Sequence, residues 1–284
     1  MPELPEVEVL VRHLRPLLQG KVIRAVQVKR ARVLRPTSVR QLTQELVGAR
    51  FDVLSRRGKF LLFTLCQARR KGSMHLLGHL GMSGRMYLLP KAEPLPKHAA
   101  VVLALGDETF VFEDTRYFGR FTLDTSPLAK LGPEPLSSEF TPEVFGEALA
   151  RSGQPIKVKL LDQTLVAGVG NIYASEALFR GGISPKLPAR KLRPKQVRQL
   201  WKSIREVLAE AIVQGCTQLL DFNGTKTRDS FFYFGRPQEA SESYEERLSV
   251  YGRRGELCLI CGTRIRHCVQ AARSTFYCPH CQAV

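Results

Sequence analysis

A chain of 284 residues is long enough to bury a sizeable core and to hold two or three domains. Its 43 Lys plus Arg against 26 Asp plus Glu leave a formal charge of +17, more than solubility needs, which points to a polyanionic partner and to nucleic acid first. No run of about 18 apolar residues exists and acids precede the first apolar stretch, so neither a membrane span nor a secretory signal is expected; the reading is cytoplasmic, nucleoid-associated if bacterial.

The chain opens with MPELPEVE, two prolines and three carboxylates in eight positions. From Pro5 to Gln19, Val7, Leu10, Val11, Leu14, Leu17 and Leu18 recur at helical spacing and Gly20 supplies a stop, which predicts a helix directly behind MPEL. Strand-like patterns follow at 21–30, 50–65 with a basic turn at Arg56 to Lys59, 74–89, and 101–123 folding back at Gly106-Asp107. This half reads as a sandwich of antiparallel sheets. A Pro-, Ser- and Gly-rich stretch, SPLAKLGPEPLSSEFTPEVF, reads as a linker, centred on 131–140. Beyond it the period turns helical: 142–150, 155–162, 172–180 closed by Gly181-Gly182, and a long amphipathic helix carrying Val197, Leu200, Ile204, Val207 and Leu208 to Gly215. The expected division is 1–130, the linker 131–140, a helical domain with its polar, aromatic-rich tail at 141–246, and a small module at 247–284.

Five of the seven cysteines crowd that last module. Cys258-Leu-Ile-Cys261 and Cys278-Pro-His-Cys281 are two C-x2-C pairs at a spacing that lets two turns bring four thiolates onto one tetrahedral Zn2+. Four sulfurs leave no open position, so the metal is expected to be structural and to hold a hairpin too small to own a core. Cys268 and His280 are alternative ligands that break the paired symmetry. Arg264, Arg266 and Arg273 lie between the pairs, where Arg273 could hold a phosphate or be an ordinary loop arginine.

GVGN at 168–171 offers consecutive backbone N–H groups at the start of a helix, a phosphate nest or equally a tight interhelical turn. Lys157 and Lys159 on the preceding helix would draw an anion toward it.

Taken together, MPELPEVE, RRGKFLL at 56–62, HLGMSGRM at 79–86, DTRYFGR at 114–120, LLDQTLVAGVGNIYASEALF at 160–179, VYGRRGE at 250–256 and RSTFYCPHCQ at 273–282 resemble the formamidopyrimidine-DNA glycosylases, of the helix-two-turn-helix family. The motifs span nearly the whole chain in family order, and Leu4 favours this branch over the related endonuclease VIII. The resemblance implies an α+β clamp: an N-terminal antiparallel β-sandwich with flanking helices, and a C-terminal helix-two-turn-helix domain plus zinc-finger β-hairpin, with damaged double-stranded DNA in the cleft. It implies a monomer with one structural Zn2+, no membrane and no nucleotide cofactor, active in base-excision repair.

It also implies roles. Once Met1 is removed, Pro2 is the Schiff-base nucleophile and Glu3 the proton donor, with Glu6 supporting the geometry of the terminus; without the family match both acids would read as routine helix-start acidity. Lys59 is carried over as a proton donor and phosphate contact against a solvated hairpin lysine, and Arg273 as a contact in elimination. Met82, Arg116 and Phe118 match the trio that fills the void left by a flipped base, with Arg116 and Phe118 expected two apart on one strand face. A core role for Met82 and Phe118 is the alternative. His98, Lys157, Gly170 and Asn171 complete the implied DNA contacts. After Gln218-Leu-Leu-Asp-Phe the chain departs from the family, which carries a glycine-bearing loop over the extruded base where this sequence reads NGTKTRDSFFYFGRPQEASESYEE. The rival functions are an oxidised-pyrimidine glycosylase of the endonuclease VIII type and a non-catalytic zinc-finger DNA-binding protein.

Overall fold

The structure is a computed structural model that describes residues 2–67, 72–216 and 248–283. Met1 and the atypical segment at 221–246 lie outside the described residues. Two compact units emerge, one from Met1–Ala129 and the other from Lys130–Val213 with Glu246–Val284.

The first unit begins with helix α1 (Leu4–Leu18), whose buried stripe of Val7, Leu10, Val11 and Leu14 follows the expected period. Then come β1 (Ala25–Val28), α2 (Val39–Leu46), β2 (Arg50–Arg57), β3 (Phe60–Cys66), β4 (Ser73–His79), β5 (Gly84–Pro90), β6 (Ala99–Ala104), β7 (Glu108–Asp114) and β8 (Arg120–Thr122). Helix α2 was not expected; Ser38 caps it by accepting the Gln41 amide at 3.1 Å. The strands form two antiparallel sheets in the orders β1-β6-β7-β5 and β2-β3-β4-β8. Phe63, Phe110, Phe112 and Phe121 are fully buried, and Phe63 meets Phe110 edge-on at 5.9 Å.

The runs at 74–89 and 101–123, the second expected to fold back only at Gly106-Asp107, both also break where the chain crosses between sheets. β4 and β5 belong to different sheets, as do β7 and β8. The crossings fall at 80–83 and 115–119, the HLGMSG and DTRYFG motifs. An added Cβ at Gly81 would lie 2.6 Å from the Gly119 nitrogen, so the two crossings are in contact and Gly81 cannot carry a side chain.

The second unit holds α3 (Pro142–Ala150), capped by Thr141, then α4 (Ile156–Leu160), α5 (Asn171–Arg180), α6 (Pro194–Cys216) and the hairpin β9 (Arg266–Gln270) and β10 (Arg273–Tyr277). Ala271 and Ala272, both with left-handed φ (47° and 58°), make the two-residue turn of that hairpin. The finger is docked on α5. The Glu176 carboxylate accepts the backbone N–H groups of Ser249, Val250 and Tyr251 at 2.7–2.9 Å, and Gln282 donates to the Ile183 carbonyl.

Candidate active site

The N-terminal motif is held by its own acids. Glu3 is the N-cap of α1 and forms a capping box with Glu6, whose Oε2 accepts the Glu3 amide at 2.9 Å. Glu3 is 2 % exposed and Glu6 is fully buried, and Pro2, next to Glu3 in the chain, is half-buried. Glu8, one turn on, receives Arg12 at 2.8 Å and Arg56 at 2.9 Å. Burial opposes ionisation there, but the two guanidiniums hold the Glu8 carboxyl below its usual range.

Arg56 also donates to the Gly58 carbonyl at 3.0 Å, so one side chain joins α1 to the turn that carries Lys59. Gly58 sits at φ 57°, and Lys59 is buried, 6 % exposed, rather than solvated at a hairpin tip. Beside it lies His79 of β4, its ring 4.8 Å from Phe60 and its Nδ1 accepting the Gly81 amide at 3.0 Å. That bond places the proton on Nε2. Burial first, then the charges of Lys59 and Arg120, push the His79 pKa down to about 4, so the ring is neutral near pH 7.

The two sheet crossings carry Met82, Arg116 and Phe118, all exposed. Met82 is 42 % exposed and Phe118 46 %, which removes the core alternative for both. Arg116 and Phe118 do not share a strand. Asp114, fully buried, accepts the amides of Arg116 (3.1 Å) and Gly119 (2.8 Å) and thereby ends β7, while Tyr117 takes a left-handed φ of 52°. The pair still meets, with the Arg116 guanidinium 4.8 Å from the Phe118 ring centre. Tyr117 turns the other way, under the Arg30 guanidinium and 3.4 Å from His98 Nδ1 through its hydroxyl.

In the second unit, Lys157 is fully buried and its Nζ donates to Asn171 Oδ1 at 2.6 Å; the Asn171 amide in turn reaches the Tyr251 hydroxyl at 3.4 Å. Gly170 caps α5, and Gly168, at φ 86°, completes the turn held by Gln163. Lys159 does not serve this loop as expected: Asp162 takes it at 2.8 Å. Arg273 is exposed at the start of β10, directly after the hairpin turn.

The sulfurs of Cys258, Cys261, Cys278 and Cys281 all lie within 4.8 Å of one another, with Cys258 to Cys281 at 3.9 Å and Cys261 to Cys278 at 3.5 Å. A tetrahedron with Zn–S bonds of about 2.3 Å has edges of about 3.8 Å, so the set fits one Zn2+. Hydrogen bonds with Thr263 hold Cys261 down to about 6, whereas burial pushes the Cys278 and Cys281 thiols up; a divalent cation among them favours the thiolate on all four. Cys268 sits on β9 opposite Thr275, outside the cluster, and His280 is exposed.

Sequence reasoning missed Asp114, His79, Tyr251 and Glu176. Each acts through partners far away in sequence or through a turn whose shape the pattern did not reveal, and the one local signal was their place inside the motifs themselves.

Residues 1–121 match the formamidopyrimidine-DNA glycosylase N-terminal domain, 131–222 the H2TH domain of the same enzymes, and 255–284 a zinc finger found in FPG and IleRS. The formamidopyrimidine-DNA glycosylase of Carboxydothermus hydrogenoformans is 40% identical over 282 residues, covering 99% of this chain and 100% of the relative. That of Thermus thermophilus is 41% identical over 289 residues, covering 99% and 98%. Among solved structures, Lactococcus lactis Fpg in complex with DNA containing an abasic site superimposes with a TM-score of 0.85 at 33% identity, covering 99% of this chain and all of that one. The same protein with DNA containing N7-benzyl-Fapy-dG gives 0.85 at 34%, with both chains fully covered. With its sandwich, its helical unit and its four-cysteine finger all matched in order, the chain belongs to the formamidopyrimidine-DNA glycosylase family.

Proposed function

We propose that this protein is a bifunctional DNA glycosylase and AP lyase of base-excision repair that removes oxidised purines, 8-oxoguanine and formamidopyrimidines, from duplex DNA. The observation that carries this reading is the burial of Glu3, locked against Glu6 beside Pro2 at the head of α1. An ordinary helix-start acid is solvated; this one is positioned.

With Met1 removed, Pro2 presents a secondary amine whose pKa, near 8 for an unperturbed α-amino group, leaves a useful fraction unprotonated at neutral pH. Its lone pair attacks deoxyribose C1′ and the base departs with its bonding electrons and a proton. Glu3 protonates the ring oxygen as the sugar opens, and the resulting iminium is the electron sink that makes the C2′ hydrogen acidic. Loss of that proton expels the 3′ phosphate, and a second elimination expels the 5′ phosphate, leaving a one-nucleotide gap. Lys59 and Arg273 hold the phosphates that leave, and Lys157, Gly170 and Asn171 grip the backbone. Met82, Arg116 and Phe118 fill the vacated stack, with the guanidinium available to the orphaned base. His98 supports the wedge through Tyr117 and contacts the backbone. The four thiolates would hold Zn2+ as a structural ion, which takes no part in the chemistry. The iminium makes a nucleotide cofactor unnecessary, and the enzyme acts as a monomer in the cytoplasm, on the nucleoid.

Borohydride trapping on abasic-site DNA, followed by mapping of the linked residue, tests the mechanism: the adduct is expected on Pro2, and an adduct on an internal lysine, or none, overturns it. Comparison of duplexes holding 8-oxoguanine and thymine glycol tests the substrate class, and dominant release of the pyrimidine would assign the protein an endonuclease VIII-like preference.

A further inference from the structure

Residues 177–205 contain nine Lys or Arg and no Asp or Glu, which is more than half of the net charge of +17 in about a tenth of the chain. The structure sorts these nine by what each one does. Arg180 is paired with Glu210 at 2.5 Å, Arg205 donates to the Pro135 and Ser137 carbonyls, Lys202 reaches Glu206 at 3.6 Å, and Lys186 lies over the Tyr277 ring. The remaining five, Arg190, Lys191, Arg193, Lys195 and Arg198, are exposed. Among the described residues none of these five is paired with a carboxylate.

Their arrangement is fixed by the fold. Val197, Leu200 and Ile204 bury one face of α6, so Lys195 and Arg198, three apart, point to solvent on a common stripe that Lys202 continues. Arg190 and Lys191 stand on the short 3-10 turn Ala189–Lys191 just before it. That turn is tied down by backbone bonds from Ala189 to the Gln154 carbonyl (2.8 Å) and from Arg190 to the Ser152 carbonyl (2.9 Å), with the Ile156 amide bound to the Leu187 carbonyl (2.7 Å). The strip is therefore held against the start of α4, the helix that bears Lys157. Five uncompensated like charges at this density repel one another, and the repulsion is relieved when an anion of comparable charge density lies along them.

We propose that this strip is a second DNA-backbone track, which takes phosphates of duplex outside the grip formed by Lys157 and Asn171. A lipid surface would require exposed apolar side chains interleaved with the cations, yet Val197 is buried and Leu192 half-buried. Single-stranded nucleic acid would require exposed rings for stacking, and Trp201, half-buried, has its indole N–H spent on the Phe140 carbonyl at 2.6 Å. What is left fits a repeating row of phosphates. From Lys195 to Lys202 the stripe runs about 10 Å at 1.5 Å per residue, the axial rise of about three nucleotides of one strand. The choice of DNA as the polyanion rests on the glycosylase reading above.

The test uses the whole protein and its variant Lys191→Gln/Lys195→Gln/Arg198→Gln, all exposed positions where glutamine suits a helix. Affinity for lesion-bearing duplexes of about 12 and about 30 base pairs is measured as a function of salt. The unaltered protein is expected to bind the longer duplex about tenfold or more tightly, and the variant to lose that advantage and about two to three units of the log–log salt slope. Excision from the short duplex stays unchanged. Equal affinity of the unaltered protein for both lengths, or an undiminished advantage in the variant, would overturn the proposal. So would tighter binding of the unaltered protein, but not the variant, to phosphatidylglycerol vesicles than to the longer duplex. Failure to excise from either duplex would instead sink the glycosylase reading, and the comparison of lengths would still decide the fate of the strip.

Discussion

The Ser83 hydroxyl donates to the Asp114 carboxylate at 2.7 Å, and through that bond the two sheet crossings of the sandwich become one object. Ser83 follows Met82, and Asp114 takes the Arg116 and Gly119 amides. Met82, Arg116 and Phe118 are thus placed by one buried acid. Asp114→Ala leaves the buried Gly119 amide, and the partly buried Arg116 amide and Ser83 hydroxyl, without their acceptor, at a cost of about 2–4 kcal/mol. Its expected signature is a lower unfolding midpoint together with weakened discrimination of the base opposite the lesion. Unchanged discrimination in the folded variant would separate Asp114 from the wedge.

Glu3→Gln keeps the size of the side chain and removes its acidity. Excision is expected to fall by about 10²- to 10⁴-fold while binding to abasic-site DNA persists. Pro2→Gly substitutes a primary amine for the secondary one and is expected to slow excision with binding likewise retained. Parallel loss of binding in both variants would show that the terminus shapes the fold rather than the reaction.

Arg56 spans Glu8 and the Gly58 carbonyl, so its removal frees the turn that presents Lys59 and leaves Glu8 with Arg12 alone. Arg56→Gln is expected to cost about 1–3 kcal/mol of stability. In single-turnover assays the strand-cutting step should slow more than base release, with Arg56→Lys intermediate. Equal slowing of both steps would place the effect on Pro2 instead.

His79 predicts a direction with pH. The folded chain keeps it neutral down to about 4, while the unfolded chain takes up a proton near the ordinary value of 6.5. The stability this lends is complete above pH 6.5 and is lost as pH falls toward 4; between pH 7 and pH 5 it amounts to about 2 kcal/mol. Urea unfolding at both pH values, compared with His79→Gln, should show the slope flattened in the variant.

Cys278→Ser is expected to lose most of the bound zinc and to weaken DNA binding, because Arg273 then sits on an unpinned hairpin. Zinc content measured on the purified variant decides; an undiminished ratio would remove Cys278 from the ligand set.

Much of this was legible before any coordinates. Thr141-Pro142 announced α3 to the residue, and the paired C-x2-C turns announced the finger, because caps and ligand spacings are local rules. Helix α2 was equally announced by Ser38 and Gln41 and went unread, its eight residues hidden in a strand-rich stretch. The sheet crossings left no trace in the apolar pattern, since a chain that leaves one sheet for the other stays buried throughout. The strand assignment for Arg116 and Phe118 failed there, although alternation around Tyr117 still brought the two together. Glu176 was invisible for another reason: its three amide partners lie more than 70 residues away.

That carboxylate has a practical corollary. Because one acid on α5 gathers the turn leading into the finger, the cysteine module owes its bearing to a helix it does not contain, and a peptide cut at residue 247 could coordinate metal yet lose its aim. Grafting the finger onto another scaffold would require carrying the helix with it.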